Sequence, residues 1–246
     1  MVDVPATRPA GSEAPLRPAP RQARAVATRD TILEAAAHEF AAEGYHAASL
    51  SKILERSGVT KGALYFHFTS KLAMADAVVA VMEERFPEIA ASFEGLGRDA
   101  LTTAVHLAIG IADALAADVC CRGGMRVMGE GALGPARAPW PYRYWEDVFV
   151  DLLARAAAEG LLRDTVDSRE LARTVVAIGH GHRVVSTATT GLADLRERAV
   201  ASWELLLGCV ADPAWLERWN AAGGMASLPV GVPTTGVPDG GPGAVP

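Results

Sequence analysis

Apolar positions recur with a helical period along most of the chain, and few stretches alternate apolar with polar. Ile32, Leu33, Ala36 and Phe40 share one face, with Thr28 placed as N-cap and Gly44 as the stop. A short helix is predicted over 50–57, with Ser49 as N-cap, an apolar face of Leu50, Ile53 and Leu54, and Gly58 as its end. Another is predicted over 61–66. Ser70 then caps a long helix whose stripe is Met74, Val78, Val81, Met82 and Phe86. The pattern predicts further helices over 98–117, 119–130, 142–159, 168–190 and 194–210, then a turn carrying Trp215 and Trp219. The helix over 98–117 is apolar on several faces, so burial is expected. Residues 131–141, with three prolines and two glycines, read as a loop.

No repeat and no strand emerges, so the expected fold is all-α. Residues 1–20 contain five prolines, and residues 221–246 hold seven glycines and five prolines. Both are expected to be disordered. Between them the pattern divides into a small module over 21–72 and a larger helical domain over 73–220.

Composition narrows the classes. Half of the 246 residues are hydrophobic and 21% are charged, enough for a sizeable core. The longest uncharged run in the apparent core, Ala100 to Ala112, is shorter than the roughly 20 residues of a membrane span. No apolar signal stretch opens the chain, and three cysteines do not make a disulfide framework, so a cytoplasmic protein is expected. The net charge of −6 is unevenly distributed. Residues 1–72 hold nine Lys/Arg against seven Asp/Glu, and the remainder fourteen against twenty-two. A basic module sits on an acidic body.

The candidate chemistry lies in residues 49–68. Two short helices meet at Gly58-Val59-Thr60, where glycine permits the φ > 0 of a sharp corner and Val59 can bury beneath it. This is the helix-turn-helix arrangement, whose second helix fits a major groove about 12 Å wide. Lys61, at the start of that helix, can reach a guanine edge. Thr60 and the N–H groups of Lys61 and Gly62 offer a phosphate seat. Gly62 permits close approach, and Ala63 suits a thymine methyl. Tyr65, His67 and Lys71 are placed for phosphate oxygens. Arg21, Arg24 and Arg29 are placed for the adjacent backbone or minor groove, and Ser49 completes the candidate set. Leu64, Phe66 and Phe68 read as core. A plain helical hairpin with a glycine turn has the same spacing, so a protein-contacting hairpin stays open.

Residues 28–86 resemble the DNA-binding module of the tetracycline-repressor-like (TetR) family. The resemblance rests on Thr28 to Ala36, Phe40 to Tyr45, Ser49-Leu50, Ile53, Gly58 to Phe68 and Ser70-Lys71. The string Lys61 to Phe68 is similar to that of γ-butyrolactone receptors, as are Pro141 to Trp145 and Gly181 to Val185 in smaller patches. Leu72 and Ala73 depart from the acidic residues usual after Ser-Lys, removing a helix-dipole contribution of roughly 0.3–1 kcal/mol. The resemblance implies a homodimeric repressor with an N-terminal three-helix DNA-binding domain and a larger helical domain for ligand binding and dimerisation. Each subunit would present one reading helix to half of a near-palindromic operator. A small hydrophobic signal such as a γ-butyrolactone, butenolide or furan would release it.

The resemblance places Trp145 against the ring of the signal, with Phe149 one turn on; the plain alternative is a core tryptophan. Ile178 and His182 share a face four residues apart, and His182 reads either as a donor to the effector or as an interface histidine. His180 and His182 diverge by roughly 200° on a helix, so no metal site is expected. Cys120-Cys121 reads as two small apolar side chains or a redox pair. No G-x-S-x-G, Walker A, H-E-x-x-H or paired Cys-x-x-Cys motif appears, so no catalytic residue, metal or cofactor is expected. The expected partners are duplex DNA, a small effector and a second copy of the chain, with no membrane. The competing readings are a helical small-molecule binder or enzyme without DNA binding, and a receptor-like regulator that answers to antibiotics.

Overall fold

The first helix is longer than its capping pattern predicts. In a computed structural model, which describes residues 20–232, α1 runs Pro20–Ala47. Thr28 is therefore an interior residue and not an N-cap; its hydroxyl donates to the Arg24 carbonyl at 2.9 Å. Gly44 breaks the helix as expected, at φ 82°. α2 (Leu50–Ser57), α3 (Lys61–His67) and α4 (Lys71–Phe93) follow at or within a residue of their predicted bounds. Next come α5 (Ala100–Ala117), α6 (Val119–Gly129), α7 (Trp140–Ala158), α8 (Ser168–Thr190), α9 (Leu195–Val210) and α10 (Pro213–Ala221). Among the described residues there is no strand, only an isolated bridge between Leu162 and Ala211.

Caps explain several boundaries. Ser70, Asp99, Asp118, Asp167 and Asp212 each accept a backbone N–H in the first turn of the following helix. Gly58 and Gly191 end α2 and α8 in the left-handed conformation that glycine adopts without steric cost.

The tail departs from expectation. Residues 224–227 form a 3-10 turn, and Leu228 is buried. Arg196 donates to the carbonyls of Leu228 and Pro229, and Asp113 accepts the Gly231 N–H. The segment up to residue 232 is thus bound to α5 and α9, because one apolar side chain and two ion-paired residues give it partners. Residues 1–19 and 233–246, which hold most of the expected arm and tail, lie outside the described residues.

Two packing features set the relation of the halves. Gly123 and Gly124 on α6 have no room for a side chain: an added Cβ would stand 2.7 Å from the Ala37 carbonyl and 2.9 Å from Met82. α6 therefore lies directly on α1 and α4. At its end Arg126 donates to the carbonyls of Ala41 and Ala42, and Glu130 accepts the His46 N–H, so α6 satisfies the orphan groups where α1 breaks. α5 has the length and apolarity of a spanning helix, but it is mostly buried by the helices around it.

Candidate functional site: a reading helix and an apolar cavity

α3 is anchored from one side only. Leu64 and Phe68, one turn apart, are buried with Ile53 and Phe40. The opposite face presents Lys61, Gly62, Tyr65 and Phe66 to solvent. Phe66 corrects the expectation of a core residue: it is 82% exposed. Two positions from both Leu64 and Phe68, it points roughly 200° away from each and cannot share their face. Ala63 and His67 flank this face, half-buried.

The Thr60 hydroxyl accepts the Ala63 N–H at 3.2 Å, so it is occupied as a cap. An added Cβ on Gly62 would meet nothing nearer than Thr60 Oγ1 at 4.0 Å, so the fold itself does not require glycine there. Ser49 begins α2 without a side-chain cap bond; instead its N–H donates to the buried Glu39 carboxylate at 2.9 Å. Its hydroxyl stays available. The exposed Arg29 sits over the Phe68 ring at 5.2 Å.

Lys71 differs from a free surface lysine. Its ammonium donates to the carbonyls of His46 and Ala48 and lies 4.8 Å from the Tyr45 ring centroid. It ties the start of α4 to the α1–α2 link. No sequence motif signals that tie, because its acceptors are backbone oxygens more than twenty positions away.

The second site is a cavity of about 90 Å³ among α4, α5, α6, α7, α8 and α9. A single water needs roughly 10–15 Å³ by this measure, so there is room for a small organic molecule. Trp145, Phe149, Ile178 and His182 all line it. Trp145 packs on Phe86 with ring centroids 4.9 Å apart, and Phe86 stacks on Trp140 at 5.8 Å. His182 is half-buried and its Nε2 lies 2.5 Å from Ser202 Oγ. Burial, then Arg198, holds its pKa below the ordinary histidine value, so the ring is neutral.

Sequence reasoning missed His180, Arg183, Tyr142 and Ser202, which also line the cavity. His180 and His182 both reach it although they leave the helix on diverging bearings, because the cavity wraps around α8. Among the described residues no group of His, Cys, Asp and Glu could hold a metal ion. Cys120 and Cys121 lack thiolate character: burial, reinforced by Asp118, pushes Cys120 up to about 11 and raises Cys121 as well. A redox pair needs the opposite shift.

Residues 32–78 match the family of bacterial regulatory proteins described as the tetR family. Over 194 residues the chain is 37% identical to the A-factor receptor protein of Streptomyces griseus, covering 78% of this chain and 67% of that one. A γ-butyrolactone receptor described as ArpA-like has a similar fold, with TM-score 0.71 and 28% identity over 83% of this chain and 96% of that one. CprB of Streptomyces coelicolor, solved with its biological operator sequence, gives TM-score 0.73 and 26% identity over 84% of this chain and 100% of that one. These relatives are transcriptional regulators, not enzymes. With its exposed reading helix, apolar cavity and this kinship, the chain belongs to the TetR family of bacterial regulators, in the branch related to γ-butyrolactone receptors.

Proposed function

We propose that the protein is a cytoplasmic repressor that holds a near-palindromic operator as a homodimer and releases it when a small, largely apolar signal fills the cavity. The observation that carries this reading is α4. One end of it is tied to the DNA-binding module through Lys71, and further along Phe86 forms part of the cavity wall. A molecule pressing on Trp145 and Phe86 therefore bears on the same helix whose start is braced against the DNA-binding module.

At the DNA, Lys61 reads a base edge and Gly62 lets the backbone come close. Ala63 and the exposed Phe66 meet thymine methyl groups, and Tyr65, His67, Arg29 and Ser49 contact phosphates. Thr60 and Lys71 act as positioning residues, since their polar atoms are engaged within the chain. In the cavity, Trp145 and Phe149 form the aromatic wall, with Ile178 and His182 opposite.

The exposed Val184, Val185 and Leu205 on α8 and α9 supply the apolar face for a second copy. Two reading helices about one turn of DNA apart then meet two half-sites. Ligand acts by binding better to a dimer whose helices are wrongly spaced; without that differential affinity nothing would shift.

The test is binding to a duplex from the protein's own upstream region, followed by fluorescence anisotropy at rising salt, with and without culture extract. A dimer is expected by light scattering, with steep loss of affinity as salt rises and release by extract. A protein that stays single, or grips no duplex at low salt, overturns the reading. Release by antibiotics but not by extract assigns it a different signal.

A further inference from the structure

α1 breaks at Gly44, where φ is 82° and ψ 172°. In an unbroken helix the Ala42 carbonyl would accept the His46 N–H four residues on. Here the break parts them, and both groups turn to α6. Arg126 Nη1 donates to the carbonyls of Ala41 and Ala42 at 3.3 and 3.1 Å. The Glu130 carboxylate accepts the His46 N–H at 3.2 Å. The two side chains stand one turn apart on α6, with Arg126 Nε 3.5 Å from Glu130 Oε1. One supplies a donor and the other an acceptor, so together they take the place of the missing backbone bond. The fit is close. A Cβ on Gly44 would lie 1.8 Å from Glu130 Oε1, so glycine serves there both for its φ and to seat the carboxylate.

The same segment is gripped from a second direction. The Lys71 ammonium, at the start of α4, donates to the carbonyls of His46 and Ala48. Both gripping helices also contribute to the cavity wall, α4 through Phe86 and α6 through Met125, the residue just before Arg126. α4 runs unbroken from the DNA-binding module into the helical domain. Apart from it, the bonds from Arg126 and Glu130 are the hydrogen bonds that cross between the two among the described residues. A body held at one place can turn about it, whereas a second hold fixes its orientation. Gly123 and Gly124 press α6 onto Ala37 and Met82 just ahead of Met125, which leaves little slack between the cavity wall and the break.

We propose that Arg126 and Glu130 are positioning residues for DNA release. By plugging the break at Gly44 they fix the DNA-binding module to α6, so a change in the setting of α6 against α4 at the cavity becomes a change in the angle of α3. The inference rests on reading the cavity as the effector site, and it adds a second link to the one through α4.

The test is a coupling ratio: the Kd for a duplex from the protein's own upstream region with γ-decalactone at saturation, divided by the Kd without it. Anisotropy reports the duplex, and tryptophan fluorescence reports occupancy of the cavity. The full-length dimer is compared with Arg126→Met, Glu130→Ala, the two combined, and Glu130→Gln, which keeps an oxygen for the His46 N–H. The parent ratio is expected to be at least about tenfold, within the usual range of allosteric coupling. In the double variant it is expected to fall below about threefold. Affinity for the duplex alone should shift by less than about fivefold, and for γ-decalactone by less than about twofold, because α4 still carries a locally capped module. Glu130→Gln should stay near the parent. A parent-like ratio in the double variant overturns the proposal and makes the pair a plain brace, even if that variant melts lower. A ratio lost equally in Glu130→Gln and Glu130→Ala overturns it too, since the bond to His46 is then not the cause. If the double variant does not fold, parent-like ratios in both single losses overturn it instead. If γ-decalactone changes neither the fluorescence nor the duplex affinity of the parent, the effector-site reading falls and this inference with it.

Discussion

α4 joins two regions that place their polar groups differently. Around α3, the cap hydroxyl of Thr60, the buried carboxylate of Glu39 and the ammonium of Lys71 are all engaged within the chain. The groups left over face outward. Around the cavity the wall is mostly apolar, and two of its few polar groups, His182 and Ser202, engage one another. The contrast teaches how the two surfaces recognise their partners. The DNA-binding module presents a finished, rigid face to an external partner. The helical domain instead keeps an internal, largely apolar cavity, and under the proposed function a molecule filling it shifts the helices only by binding one arrangement better than another.

The sharpest way to break the comparison is to exchange the consequences of two substitutions. Trp145→Ala removes a buried aromatic at a stability cost of about 3–5 kcal/mol, read from denaturant unfolding. It should retain operator binding and lose release by extract. Normal release in that variant removes Trp145 from the cavity's function. Lys61→Ala should do the reverse, leaving probe binding in the cavity intact. Loss of a base contact costs about 1–3 kcal/mol of operator affinity, and the loss should exceed that on random sequence. Equal weakening on both assigns Lys61 to phosphate.

Acid sharpens the picture of the helical domain. His106 is buried on α5 with its Nδ1 unpartnered, and burial, aided by Arg98, lowers its pKa to about 4. The unfolded chain takes up this proton near the ordinary histidine value, before the folded one does. The group thus adds no penalty above about pH 6.5 and destabilises progressively as pH falls toward 4, by about 2 kcal/mol in all once solvent screening reduces the full value of about 3.4. Urea midpoints across that range should fall in the parent and stay flatter in His106→Leu. The same slope in both variants would exclude His106 as the cause.

The smallest effect distinguishes fold from function at α3. Gly62→Ala meets no neighbour closer than 4.0 Å, so it should raise helix stability by up to about 1 kcal/mol. Operator affinity should nevertheless drop, because the new methyl intrudes where DNA approaches. A variant that melts higher and binds as before would show that the glycine is incidental.

The DNA-binding module was legible in the sequence because its logic is local. Gly58, Thr60 and Ser70 act on positions within three or four residues, and Ile53 and Leu64 announce their burial by period. Phe66 shows that hydrophobicity alone does not imply burial: its angular position on the helix already sets it on the outer face. The cavity was legible in part. Trp145, Phe149, Ile178 and His182 were found by resemblance and by helical spacing. Arg183 and His180 were not, because whether a polar side chain on α8 meets water or a cavity depends on α7 and α9. The close approach of α6 was hidden for the same reason: Gly123-Gly124 looks like a helix weakness until the Ala37 backbone is seen against it.

What the sequence determined by itself was the order of the helices, the Gly58 corner and the Ser70 cap, since each depends on interactions spanning a turn or two. Only the tertiary structure decided which residues surround the cavity and that Lys71 is a brace. Those facts arise from groups distant in the chain being brought together, and the energy of an unpaired charge or a missing Cβ is set by its neighbours rather than by the residue.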